Sequence, residues 1–171
     1  MVRLAGQGGN RVERVNGKGG TSAMQIVHSG LLFDQWNVGQ TLQTGGRTIT
    51  QAHIVSFAGL TGDYNPLHTD NEYCAANTPQ GCCIAHGALT FSISVGLVNR
   101  YLEGTCIAFV ELSARYTQKV LPGDSIRVLL IVKDKRLSSK GDRGVVTLEI
   151  QTLNQHGEVV MEGEWKLLMK K

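Results

Sequence analysis

The chain of 171 residues has a hydrophobic content of 42% and a formal net charge of +3, which is enough for one domain with a sizeable core. The first 22 residues account for this charge with four basic residues against one acidic residue: Arg3, Arg11, Arg14 and Lys18 against Glu13. The nearly neutral remainder argues against a nucleic-acid-binding surface, and the absence of a run of roughly 20 apolar residues argues against a membrane span.

Residues 1 to 22 contain six glycines and no periodic apolar pattern, which predicts a flexible glycine-rich tail. The segment is similar to a mitochondrial targeting segment in charge only, since each glycine costs an amphipathic helix about 1 kcal/mol relative to alanine. We therefore predict a flexible extension over residues 1–22 and a single domain over residues 23–171.

The four cysteines, Cys74, Cys82, Cys83 and Cys106, do not form a plausible disulfide framework, because two of them are adjacent and no secretory signal precedes them. We expect free thiols in the cytoplasm. A metal site that combines some of these thiols with His68 and His86 lacks the usual ligand spacing. The sequence therefore predicts no bound metal or cofactor.

The first elements follow from apolar patterns and helix caps. Residues 40 to 49 predict a strand that is interrupted at Gly45-Gly46. Thr50 is a suitable N-cap for a helix that ends near Gly59. Asp70 is a suitable N-cap for a second short helix through Ala76.

Between these helices lies Thr61-Gly-Asp-Tyr-Asn-Pro-Leu-His68. Asn65-Pro66 disfavours a continuous helix, so we expect a loop on which Asp63 and His68 converge as a general acid/base pair for a water molecule. An ordinary turn is the alternative. A calcium loop is excluded, because His68 and Cys74 occupy the positions that require glycine and glutamate.

Residues 84 to 102 are too long for a typical strand and predict a helix. Its apolar residues lie on all sides, which is typical of a helix enclosed by other structure. From residue 105 onward, alternating patterns separated by turns predict antiparallel strands; in the last strand Val159, Met161 and Trp165 alternate against polar residues. The predicted fold is α+β, with one antiparallel sheet wrapped around a long apolar helix.

The loop Gly62-Asp-Tyr-Asn-Pro-Leu-His68 followed by Ile84-Ala-His-Gly-Ala-Leu89 resembles the signature of the MaoC-like, R-specific enoyl-CoA hydratases, which have the hot-dog fold. The resemblance covers residues 31 to 169. It implies reversible hydration of trans-2-enoyl-CoA to (3R)-3-hydroxyacyl-CoA. Asp63 and His68 match the catalytic pair, and Gly87 matches the glycine whose backbone N–H binds the thioester oxygen. Asn65 matches the motif's asparagine, which we interpret as shaping the loop.

His86 precedes Gly87, and we interpret it as a packing or capping residue rather than a participant in the chemistry. The partner implied by the family is an acyl thioester of CoA or of acyl carrier protein. Open sheet edges predict a homodimer. An acyl-CoA thioesterase and a non-catalytic acyl-thioester-binding module remain alternatives, because a fold does not fix a function.

Overall fold

The computed structural model describes residues 29–171, and the predicted tail over residues 1–22 lies outside them. The main element of the described residues is a seven-stranded antiparallel sheet. Its strands are β1 (Thr41–Gln43), β2 (Arg47–Thr48), β3 (Cys106–Leu112), β4 (Arg115–Tyr116), β5 (Ser125–Leu137), β6 (Arg143–Leu153) and β7 (Val159–Lys170). The long strands β5, β6 and β7 lie at the centre, and β1 and β3 flank them in the order β1-β5-β6-β7-β3. Two short strands branch off, with β2 paired to β5 and β4 paired to β7.

Within residues 29–171, four α-helices cross or flank the sheet: α1 (Gln51–Thr61), α2 (Pro66–Thr69), α3 (Asn71–Asn77) and α4 (Gly87–Val98). The predicted caps are confirmed. The Thr50 side chain accepts a hydrogen bond from His53 N, and the Asp70 side chain accepts one from Tyr73 N. No helix in residues 29–171 combines the length and the apolar character needed to cross a bilayer.

The core lies between the sheet and α4. In β6 every second residue is buried, and Leu148 and Ile150 are fully enclosed together with Trp36 and Trp165. Strict alternation arises because successive side chains of a strand point to opposite faces. The apolar face of the sheet therefore packs on the helix, which confirms the predicted α+β architecture.

Helix α4 is shorter than predicted and is not enclosed on all sides. It begins at Gly87 rather than near residue 84, and a 3-10 turn, Asn99–Tyr101, follows its end at Val98. Leu89 and Ile93 are buried, whereas Ala88, Ser92 and Gly96 form an exposed stripe on the opposite side. The apolar composition alone did not distinguish the two faces, because the exposed stripe is built of small residues.

The alternation predicted for β7 is wrong at its first position. Val160 is buried, and Val159 is only half-buried. The cause is an irregularity in the β6–β7 ladder, where Thr152 pairs with Met161 and Leu153 pairs with Val159. A bulge places an extra residue in one strand and shifts its inward set.

Two glycines of the sheet allow other groups to approach the backbone closely. A β-carbon at Gly163 would lie 2.1 Å from the Ser113 carbonyl oxygen, and one at Gly144 would lie 2.3 Å from the Phe33 ring. Ser113 belongs to the bend between β3 and β4, and its carbonyl also accepts a hydrogen bond from Trp165 Nε1. At both glycines the strand backbone therefore packs directly against another part of the chain, and neither position has room for a side chain.

Candidate active site

Asp63 lies on a short loop between α1 and α2. Helix α1 ends at Gly62, which has a positive φ of 79° and so reverses the chain at a position that favours glycine. The Asp63 N–H donates to Thr61 Oγ1 at 3.3 Å, and the Asp63 carboxylate accepts from Asn65 N at 3.3 Å. The carboxylate stands at the surface of the isolated protomer.

The other half of the predicted motif is helical. Asn65 caps α2 by accepting from Leu67 N at 3.0 Å, and Pro66 occupies the first helical position, where its missing N–H costs nothing. His68 therefore lies on a single helical turn, which corrects the expectation of a loop throughout. Proline prevented a continuous helix upstream but favoured a new helix start. The predicted role of Asn65 in shaping the loop stays a prediction.

The His68 ring is buried and held in one orientation. Its Nδ1–H donates to the Ile84 carbonyl at 2.8 Å, because a carbonyl can only accept. This bond fixes the tautomer and leaves Nε2 as the acceptor. The carbonyl is itself well placed, since Ile84 N donates to the Leu67 carbonyl and Ala85 N donates to the Val120 carbonyl.

His86 contacts both predicted catalytic residues. Its ring stacks on that of His68 with a centroid distance of 3.8 Å and an interplanar angle of 29°. Its Nε2–H donates to the Asp63 backbone carbonyl at 3.0 Å, and the Phe57 ring packs on it with a centroid distance of 5.2 Å. His86 Nδ1 is buried without a hydrogen-bond partner in the described part of the chain.

His86 packs on the rings of His68 and Phe57 and is also the N-cap residue of α4, as predicted, and the expectation that it takes no direct part in the chemistry stays a prediction. His86 is the N-cap of α4 by position, but its side chain makes no capping hydrogen bond. The bond to the Asp63 carbonyl was not predicted, because the two residues are 23 positions apart. The only signal in the sequence was its place immediately before Gly87.

Asp63, His68 and His86 converge. One carboxylate oxygen and one nitrogen from each imidazole lie within 4.8 Å of one another. An exposed carboxylate beside a buried, oriented imidazole can hold and polarise a water molecule. Carboxylate and imidazole groups are also the donors of zinc sites. However, the lone pairs of two stacked rings are nearly parallel, whereas a zinc ion needs them to converge on one point about 2.0 Å from each nitrogen.

Gly87 begins α4, where the first N–H groups have no partner within the helix. Its N–H donates to no acceptor in residues 29–171, and the positive end of the helix dipole adds to its pull on an anionic oxygen. Gly87 also lines an open groove of about 390 Å³ between α4 and residues 116 to 120. Asp63 and His68 do not line this groove.

Tyr116 covers the outer side of Gly87. A β-carbon at Gly87 would lie 3.0 Å from the Tyr116 ring, so a side chain at position 87 would require this ring to shift. Partial burial raises the pKa of the Tyr116 hydroxyl above its usual 10.0. Tyr116 was not predicted as a site residue, since a lone tyrosine in a strand carries no local signal.

The comparisons with known proteins identify a family for this chain. The family model described as a MaoC-like domain matches residues 34–154. A 3-hydroxybutyryl-CoA dehydratase of Methylorubrum extorquens is 30% identical over 134 residues, which cover 78% of this chain and 81% of that protein. An (R)-specific enoyl-CoA hydratase of Aeromonas caviae is 31% identical over 113 residues, which cover 66% of this chain and 81% of that protein.

The fold has a counterpart among solved structures. A Mycobacterium tuberculosis protein described as having a double hot-dog fold superimposes with a TM-score of 0.77 at 20% identity, covering 83% of this chain and 44% of that one. At this identity the likeness concerns the fold alone. It identifies the sheet wrapped around α4 as a hot-dog fold.

Proposed function

The chain belongs to the MaoC-like dehydratase family, and on this premise we propose that it catalyses the reversible hydration of trans-2-enoyl-CoA to (3R)-3-hydroxyacyl-CoA. The observation that carries the proposal is the convergence of the Asp63 carboxylate with the oriented His68 imidazole. In the hydration direction, water adds across the double bond of the enoyl thioester. In the reverse direction the same groups remove water from the 3-hydroxyacyl thioester.

Asp63 and His68 would divide the handling of the water. The Asp63 carboxylate accepts one proton of the water while the water oxygen forms a bond to C3. The Asp63 carboxyl group then returns a proton to C2 on the same face of the double bond. His68 Nε2 accepts the second hydrogen bond of the water and orients it, because Nδ1 is committed to the Ile84 carbonyl. Acid/base catalysis of this type contributes typically about 10²- to 10⁴-fold.

Gly87 would stabilise the charge that develops on the thioester oxygen. As the C3–O bond forms, electron density moves to the carbonyl and an enolate develops. A preorganised N–H donor at this oxygen is worth roughly 3 kcal/mol in the transition state. The free N–H at the start of α4 is such a donor.

We propose a place for the substrate and an oligomeric state. The groove beside Gly87 would receive part of the acyl thioester, with CoA or acyl carrier protein as the carrier.

Among the strands described in residues 29–171, β3 pairs only with β7. It exposes Ile107, Phe109 and Val110. Pairing with a second copy along this edge would cover these residues, so we infer a homodimer. We also propose that the protein works in the cytoplasm.

The test is a spectrophotometric assay of enoyl-CoA hydration with the parent protein, Asp63→Asn and His68→Ala. We expect turnover to fall by about 10²- to 10⁴-fold in both variants, with the fold retained. His68→Ala should also lower the thermal unfolding temperature, because the ring is buried and bonded to the Ile84 carbonyl. Asp70→Asn is the matched control, because Asp70 is a nearby exposed carboxylate whose capping role asparagine also supports. Full activity in either site variant would contradict the mechanism.

Product analysis separates the alternatives. Chiral analysis should give the R alcohol, and an S product would contradict the proposed stereochemistry. Release of free CoA thiol would instead indicate a thioesterase. Binding of enoyl-CoA without any turnover would indicate a non-catalytic module.

A further inference from the structure

Two of the four cysteines form a buried pair. Cys74 and Cys83 are 0% and 1% exposed, and their sulfurs lie 2.8 Å apart. Cys82 and Cys106 are only half-buried. The sequence suggested four independent thiols, but the fold brings two of them together across nine positions of chain.

We propose that Cys74 and Cys83 form a dithiol that oxidises reversibly to an intrachain disulfide. The bond would join α3 to the segment that leads into α4. Disulfide formation needs a sulfur–sulfur distance of about 2.05 Å, so the two sulfurs must approach by about 0.75 Å. This approach would come from rotation of the two side chains and a small shift of α3.

The surroundings of the pair make such a shift possible. Cys74 is the only buried residue of α3, so the seven-residue helix is held to the body by the very thiol that would react. Elements with so few buried contacts open locally at low cost. Local opening of α3 therefore gives an oxidant access to two thiols that are enclosed in the closed state.

The disulfide would reinforce a connection that already exists. Cys74 Sγ lies 3.2 Å from the Pro66 carbonyl and 3.3 Å from the Leu67 carbonyl. The Leu67 carbonyl in turn accepts from Ile84 N, next to Cys83. The bond would thus link two segments that are already hydrogen-bonded, and the orientation of His68 should be unaffected.

The oxidant that we invoke is a small disulfide such as glutathione disulfide. One cysteine thiolate attacks a sulfur of the oxidant, giving a mixed disulfide and releasing one glutathione thiolate. The second cysteine thiolate then attacks the cysteine sulfur of the mixed disulfide and releases the second glutathione thiolate. The two thiols lose two protons and two electrons, and one glutathione disulfide becomes two glutathione thiols.

The reaction should be slow at neutral pH. Burial, with a further contribution from the hydrogen bond to Cys74, raises the pKa of the Cys83 thiol from 9.0 to about 11. The thiolate is the attacking species, so a raised pKa reduces its population. The dithiol is therefore the resting form in a reducing solution, and the disulfide accumulates only under sustained oxidation.

The experiment uses the full-length protein incubated with mixtures of reduced and oxidised glutathione. We expect unreduced peptide mapping by mass spectrometry to find the Cys74–Cys83 bond, with a loss of two hydrogen atoms. The four thiols titrated in denaturant should fall to two. Closing a loop of about ten residues should also raise the thermal unfolding temperature by roughly 5–10 °C.

The matched controls are single substitutions among the four cysteines. Cys82→Ser and Cys106→Ser should still form the bond and gain the thermal shift, whereas Cys74→Ser and Cys83→Ser should do neither. A bond that involves Cys82, a mixed disulfide that does not resolve, or four free thiols after oxidation of the folded protein would each overturn the proposal. The readouts do not depend on the hydratase assay.

Discussion

The central sheet and the segment from residue 61 to residue 87 are held together by different forces. The strands β5, β6 and β7 are joined by long antiparallel ladders, and their inward side chains are almost fully buried. The other segment consists of a loop, two short helices and an irregular stretch. Its geometry rests on a few specific hydrogen bonds, such as those of His68 and His86 to backbone carbonyls.

The difference separates stability from chemistry. Removing an inward side chain of the sheet deletes many contacts and leaves a cavity, so it weakens the whole domain. Removing one hydrogen bond beside Asp63 leaves the core intact but shifts groups whose positions must be accurate to fractions of an ångström. Substitutions in the two regions should therefore separate cleanly in a plot of turnover against free energy of unfolding.

The largest effect on stability should come from Leu148→Ala in β6. Leu148 is fully buried, and its truncation should lower the free energy of unfolding by about 2–5 kcal/mol. Urea unfolding followed by circular dichroism measures this change. Turnover per folded molecule should equal that of the parent, and a specific loss of turnover would show that the two regions are coupled.

A smaller effect, and one confined to chemistry, is expected for His86→Phe. Phenylalanine preserves the aromatic stack on His68 but cannot donate to the Asp63 carbonyl. A hydrogen bond worth about 0.5–1.5 kcal/mol would translate into a fall in turnover of up to about tenfold, with little change in unfolding temperature. His86→Gln is the matched variant, because its amide can still donate, and it should retain more activity than His86→Phe.

Asn65→Ala should affect both properties modestly. It removes the cap of α2, which is worth about 1 kcal/mol, and it loosens the turn that carries His68. Asp70→Ala removes the corresponding cap of α3 and should cost about as much stability. If turnover fell equally in both variants, the cap of α2 would have no special relation to the site.

The smallest effect should come from Glu149→Gln on the outer face of β6. Glu149 pairs with Lys133 at 3.1 Å, and both side chains are partly exposed. Such a surface pair contributes less than about 1 kcal/mol, and added salt should reduce the difference further. Turnover should be unchanged, so this variant provides the baseline for both turnover and free energy of unfolding.

Much of the architecture could be predicted because the sequence expresses it locally. Thr50 and Asp70 cap helices where they were expected to, since a cap depends on residues three positions away. The strand patterns predicted the α+β architecture, and the hot-dog fold was implied by the resemblance of the paired motifs to the MaoC-like family. The bulge at Val160 could not be predicted, because it depends on the register with β6.

The site was only partly predictable, because some of its contacts join residues that are far apart in the sequence. Asp63 and His68 are five positions apart and belong to one motif, so their proximity could be inferred; their catalytic role stays a prediction. The contacts of His86 with both residues, and of Tyr116 with Gly87, join distant parts of the chain. Side chains that act across such distances leave no periodic signal in the sequence.

The close approach of Ser113 to Gly163 has a consequence for mutational tolerance. Because a β-carbon at position 163 would meet a backbone oxygen, no rotamer change can make room for it. A saturation library screened only for folded protein should therefore return glycine at this position. Position 163 would then be as intolerant as a reacting group, although its constraint is steric and lies in the bend between β3 and β4.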